Sequence, residues 1–274
     1  MPEFVSHDGL TLHYTDEGAG LPLLCLAGLT RTGADFDYVM PHLRDCRVIR
    51  MDYRGRGRSE WDRKWQNYSL PVECQDVLTL LNHLGLQQVA ILGTSRGGLN
   101  AMGLAMSHKN RLLGVALNDI GPELDPTGLS FIMSYPGRNP GAKNHVDAAR
   151  GLERSMTSFE DVPFARWMEE AVKHFRMTES GLSITYDPKL RDAVEAQGAQ
   201  AAPDLWPFFD ALEGLPLACL RGENSDLLSP DTLAEMQRRR PDMVAATVMG
   251  RGHIPFLDEP ESVATLQTWI NSLK

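Results

Sequence analysis

The sequence predicts an α/β fold built on a mainly parallel sheet, covered by helices on both faces and interrupted by an insertion. Three observations carry this. Short, largely apolar runs recur through the first half and again near the end, helical patterns separate them, and the alternation lapses over one long central stretch. Strands that are apolar throughout, rather than on alternate residues, belong to a sheet buried on both sides, and parallel neighbours need helical crossovers between them.

The elements follow in order. Residues 3–16, with His7-Asp8-Gly9 in the middle, read as an antiparallel hairpin turning on Asp-Gly. Residues 23–26, 48–51, 89–92 and 113–117 read as buried strands. Ahead of the third, Val77, Leu80, Leu81 and Leu84 recur at helical spacing, with Pro71 near the start and Gly85 as a stop. After Asn118 the rhythm breaks. From Gly121 to about Gly214 only 182–186 has a strand-like pattern. The stretch is richer in Pro, Met, Trp and Phe, with a helical patch over 164–175. Alternation resumes at 217–220 and 244–248, and a final helix puts Leu266, Trp269, Ile270 and Leu273 on one face. Residues 1–120 and 215–274 are therefore the expected core, and 121–214 an insertion over one edge of the sheet.

Composition narrows the function. With 274 residues, 42% of them hydrophobic, the chain can bury a large core. A net charge of −9 argues against nucleic acid, whose phosphates need clustered Lys and Arg. The densest basic stretches, 54–58 and 238–240, are short, lie beside acidic residues and read as solvated faces. No apolar run approaches the ~20 residues that cross a bilayer, and the first residues carry no secretory pattern. Cys25, Cys46, Cys74 and Cys219 form no CxxC pair, and Cys25 and Cys219 lie in strand-like runs as small buried thiols. A reduced, cytoplasmic protein is expected. The eight histidines show no HxH or HExxH spacing, so neither a metal nor a cofactor is expected.

The chemistry gathers at three places. Gly93-Thr94-Ser95-Arg96-Gly97-Gly98 follows a strand run and precedes a helical one. A serine on such a sharp turn projects its hydroxyl clear of the sheet, and glycine two residues to either side relieves the crowding. The following helix also aims its N-terminal N–H groups at the site. A serine hydroxyl needs a base. His253, in a glycine-flanked loop between the last strand run and the final helix, can reach across the strand ends. The other seven histidines fall on helices, near the start or in the insertion. The imidazole in turn needs a carboxylate to hold its tautomer. Asp226, in the loop after 217–220, is the first candidate, and Asp119, directly after a strand ending at the same face, is the rival. Oxyanion donors are expected from the backbone N–H groups of Arg96 and of Leu29, in the loop Ala27-Gly28-Leu29-Thr30.

Together these residues resemble the α/β-hydrolase superfamily, in which the triad follows the same chain order of Ser, Asp, His. The segment Met51-Asp-Tyr-Arg-Gly-Arg-Gly-Arg-Ser59 looks like a loop of its esterase-like and lactonase-like members, and Gly252-His-Ile-Pro-Phe-Leu-Asp-Glu-Pro260 is similarly family-like. The resemblance implies an eight-stranded sheet and a helical cap formed by 121–214. Phe131, Met133, Tyr135, Trp167 and Trp206 are its candidate pocket-lining residues, packing within the cap being the alternative for each. Ala27-Gly28 departs from the His-Gly of many members. A serine nucleophile separates the chain from dehalogenase-like and epoxide-hydrolase-like members, which use aspartate. The resemblance implies hydrolysis of a small carboxylic ester or lactone through an acyl-serine. The alternatives are carbon–carbon hydrolysis of a β-diketone-type ring-cleavage product and, from another class, a non-catalytic small-molecule receptor. Ring-cleavage substrates carry a carboxylate that Arg31 could meet, a surface salt bridge being the other reading of that residue. A small-molecule substrate is expected, with no nucleic-acid or membrane partner; monomer and homodimer are both open.

Overall fold

The structure, a computed structural model, describes residues 2–199 and 203–273. The chain opens with strands β1 (Glu3–Val5), β2 (Thr11–Gly18), β3 (Leu21–Leu26) and β4 (Cys46–Met51). Helix α1 (Leu70–His83), β5 (Val89–Thr94), α2 (Arg96–His108) and β6 (Leu112–Asn118) follow. The inserted stretch holds α3 (Pro126–Ser134), α4 (His145–Ser155), α5 (Phe164–His174), β7 (Phe175–Thr178), β8 (Gly181–Ile184), α6 (Leu190–Gly198) and α7 (Trp206–Asp210). The chain then returns with β9 (Leu217–Gly222), α8 (Pro230–Arg239), β10 (Val244–Val248) and α9 (Pro260–Asn271).

The eight-stranded sheet runs β1-β2-β4-β3-β5-β6-β9-β10, antiparallel in its first two pairings and parallel in the rest. It is the α/β-hydrolase architecture anticipated. Alternate residues serve two different cores. Leu24, Leu26, Ile49, Met51, Ile91 and Val115 pack with Val77 and Leu81 of α1 and Met102 of α2. Their neighbours Leu23, Cys25, Val48, Ala90, Leu92 and Ala116 pack with Leu266, Trp269 and Ile270 of α9. Burial on both sides is why these strands read as largely apolar runs rather than as alternating ones. The expected helix stop at Gly85 is present at φ +66°. Chain direction across the sheet reverses at β3, which lies between β4 and β5, and the crevice beyond such a reversal is where open α/β sheets place their ligands. Within the insertion, the strand anticipated near 182–186 is β8, paired with β7, whose first residue, Phe175, closes the stretch expected to be helical. No helix among the described residues is long and apolar enough to cross a membrane.

The solvated reading of 54–58 is corrected. Arg54 and Arg56 are fully buried. Arg54 binds Asp76 at 2.6 and 2.7 Å, Asp62 at 2.7 Å and Asp8 at 2.9 and 3.0 Å. Arg56 Nη2 stands 3.0 Å from Glu73, which also accepts from Arg96 at 2.7 Å. The acids come from the first hairpin, a nearby loop and α1, and apart from Asp62 they lie far from the arginines in sequence. Arg240 is buried too, donating to the Leu212 and Leu215 carbonyls, whereas Arg238 is solvated as expected. The Arg54 guanidinium holds the Asp8 carboxyl well below its usual range, while burial pushes Asp76 up. Arg54→Met would leave Asp76 and Asp62 buried without their cation. Chemical denaturation should register a loss of about 3–5 kcal/mol, and a loss below 1 kcal/mol would mean that this network behaves like a surface ion pair.

Candidate active site

Ser95 is the single residue between β5 and α2 and takes φ +50°, ψ −114°, a left-handed conformation rare outside glycine. Its N–H donates to the Asn118 carbonyl on β6 at 3.0 Å, which ties the turn to the next strand. The turn is as crowded as its glycines suggest. A Cβ on Gly93 would lie 2.6 Å from the Gly97 carbonyl and the Gly98 nitrogen, and one on Gly97 would overlap the Leu26 carbonyl oxygen.

His253 meets this serine. Its Nε2 is 3.0 Å from Ser95 Oγ, and its Nδ1 is 2.7 Å from Asp119 Oδ2. An ionised carboxylate only accepts, so Nδ1 carries the proton and Nε2 is left to accept from the hydroxyl. The loop that bears His253 is fastened just beyond the histidine. Asn118 Nδ2 donates to the Pro255 carbonyl at 3.2 Å, and the N–H groups of Phe256 and Leu257 donate to Glu259 at 2.9 Å.

Asp226 is the sequence expectation that the geometry corrects. It is exposed, and its backbone carbonyl accepts from Gly128 N–H at 3.1 Å, at the start of α3. Asp119, the rival, stands against the imidazole instead. β9 runs on to Gly222, and the loop beyond it is turned back by the Ser225 N–H donating to the Gly222 carbonyl. That turn presents Ser225, not Asp226, to the site. Asp119 follows β6 directly, and φ +54° swings its side chain towards the histidine loop. Fully buried, it accepts from Gly222 N–H at 2.7 Å and Ser225 Oγ at 2.6 Å as well as from His253. Ser225 escaped sequence reading because a loop serine carries no distinguishing pattern.

Of the two residues expected to give oxyanion donors, Arg96 opens α2, where first-turn N–H groups lack intrahelical acceptors. Its side chain turns away to Glu73 and the Tyr68 carbonyl. The loop of Leu29 lies against the serine: a Cβ on Gly28 would sit 3.9 Å from Ser95 Cβ. The Gly28 carbonyl, in the peptide that carries the Leu29 N–H, accepts from Arg31 N–H at 3.2 Å, and the Leu29 carbonyl accepts from buried Arg56 Nε at 3.0 Å.

A pocket beside His253 is walled by Tyr38, Phe159, Trp167 and Phe256. Trp167 is thus the one of the five expected cap residues that lines it. Phe131 and Tyr135 are exposed, Met133 packs by Gly198, and Trp206 donates to Glu123 beneath Arg239. An ion cluster closes one end of the pocket. Arg31 lies 3.3 Å from Glu170 and 3.7 Å from Asp35 and touches the His174 ring, while Tyr38 donates to Glu170 at 2.9 Å. Burial pushes Asp35 up to about 6 and, with the Arg31 and Lys173 cations, holds His174 well below its usual range, hence neutral. Glu170 and His174 went unnoticed because the insertion brings them to Arg31 from more than a hundred residues away. His7, Asp8 and Asp76 bring possible metal-ligand atoms together, but Arg54 already occupies both carboxylates.

A family model described as the alpha/beta hydrolase fold matches residues 22–260. A 3-hydroxybutyrate-oligomer hydrolase of Cupriavidus necator is 37% identical, the match covering 88% of this chain and 85% of that protein. A 2-(acetamidomethylene)succinate hydrolase of Mesorhizobium japonicum is 26% identical over 96% of this chain and 91% of its own. Among solved structures, an alpha/beta hydrolase from Novosphingobium aromaticivorans superposes with a TM-score of 0.92 at 38% identity, covering 98% of this chain and 97% of that one.

Proposed function

We propose, for a chain that belongs to the α/β-hydrolase family and is a hydrolase, the cleavage of a short carboxylic ester or lactone through an acyl intermediate on Ser95. The observation that carries this is the unbroken line of contacts from Ser95 Oγ through His253 to buried Asp119. In this reading Oγ attacks the ester carbonyl carbon while His253 Nε2 takes its proton. The carbonyl oxygen, now negative, is received by the N–H groups of Leu29 and Arg96. As the carbon–oxygen bond breaks, the imidazolium returns the proton to the departing alcohol, and water then repeats the sequence on the acyl-enzyme to release the acid. Asp119 keeps Nδ1 protonated and stabilises the imidazolium. Residues 121–214 act as the cap over the pocket, on a core made of 1–120 and 215–274.

An ester as substrate draws support from the relative named for 3-hydroxybutyrate oligomers, whose units are joined by ester bonds. The test is a turnover screen of aryl esters, lactones and β-diketones, run beside labelling by a fluorophosphonate probe. Ester or lactone turnover with stoichiometric labelling at Ser95 is the expected result. Turnover confined to β-diketones, or a protein that neither labels nor cleaves any ester, would overturn the reading.

A further inference from the structure

The Arg31 guanidinium is engaged on one side only. Its side-chain hydrogen bonds all run through Nη1, to Glu170 Oε2 at 3.3 Å and to the His174 ring, and Nη1 also lies 3.7 Å from Asp35 Oδ2. Among the described residues no hydrogen bond reaches Nε or Nη2, and neither atom is sealed away as a buried, unpartnered donor. That edge is therefore accessible, and it belongs to a residue that lines the pocket. It is the fork of parallel N–H donors that fits the two oxygens of a carboxylate. Among the described residues lining this pocket, Arg31 alone carries a fixed positive charge. Lys173, 3.8 Å from Glu170, shares the load of the acids that hold Nη1.

Position ties the fork to the reaction. A methyl group built on Gly28 would touch Arg31 Cγ at 3.3 Å on one side and Ser95 Cβ at 3.9 Å on the other. His253 lines the same pocket, and in the ester reading it is the group that hands a proton to the departing alcohol. The departing half of the substrate thus lies on the Arg31 side of the serine. We propose that the Nε–Nη2 edge of Arg31 binds a carboxylate carried by the departing alcohol, so that the preferred substrates are esters of hydroxy acids with a free acid end. This rests on the ester reading above and deepens it: Arg31 is a specificity-determining residue, positioned by Glu170 and Asp35 rather than consumed by them.

The test compares 3-acetoxybutyrate with 3-acetoxybutyramide, which differ only in whether the alcohol part bears a carboxylate, by following acetate release. The wild type should favour the acid by roughly 30-fold in kcat/KM, the scale of a charge-assisted hydrogen-bonded pair, with the difference mostly in KM. In Arg31→Met the acid-to-amide ratio should fall to within about threefold of unity, and Arg31→Lys should recover part of it. A wild type indifferent to the carboxylate, or an Arg31→Met that lowers both rates and keeps the ratio, overturns the proposal. Should that variant fail to fold, inhibition of wild-type p-nitrophenyl acetate turnover decides the matter. 3-Hydroxybutyrate should act at concentrations at least about tenfold below 3-hydroxybutyramide, and equal potency overturns the proposal. A wild type that cleaves no ester at all brings down the ester reading, and this inference with it, which is a different failure from turnover without acid preference.

Discussion

Asp119→Asn should lower kcat for a cleaved ester by about 10⁴-fold, whereas Asp226→Asn should leave it within about threefold of the wild type. The asymmetry follows from hydrogen-bond inventory. An amide at 119 can turn its NH₂ towards His253 Nδ1, which then becomes the acceptor and drives the ring proton to Nε2. A protonated Nε2 cannot take the Ser95 proton over their 3.0 Å separation, so the base is lost with the geometry intact. Asp226 faces solvent beside α3, and nothing of its carboxylate reaches the imidazole. Steady-state kinetics with thermal melts as a folding control would decide the matter. A collapse of activity in Asp226→Asn with little change in Asp119→Asn would reverse the assignment.

Ser95→Ala should fall further, by about 10⁶-fold in kcat, and should lose all labelling by the phosphonate probe. The hydroxyl is the only atom removed. The backbone bond from residue 95 to the Asn118 carbonyl and the crowded glycines around it are untouched, so the fold should persist. What remains is whatever rate the oxyanion donors and the pocket can supply to attack by water. Persistent labelling of the alanine variant would place the nucleophile elsewhere.

The fold was legible because burial on both faces of a parallel sheet writes largely apolar runs, and those runs carry the strand ends that hold Ser95 and His253. The carboxylate that meets His253 was not, and the reason is specific. Asp119 and Asp226 both sit near the same sheet rim, and choosing between them depends on a turn through Gly222 and Ser225 made of hydrogen bonds rather than of a sequence pattern. Arg54 and Arg56 misled for a related reason: a charged residue looks solvated until its distant partners are known. The Arg31 cluster was invisible for lack of any regular spacing between a core loop and α5.

Four non-glycine residues among those described hold positive φ, and two of them, Ser95 and Asp119, are the ends of the line of contacts through His253. A left-handed backbone at such residues costs about 1–3 kcal/mol each, which glycine would largely avoid. Ser95→Gly should therefore melt no lower than the wild type while being inert, and a clear drop in melting temperature would count against this. A chain selected for endurance alone would have no use for serine at this position. Its presence there marks how much robustness has been surrendered to reactivity.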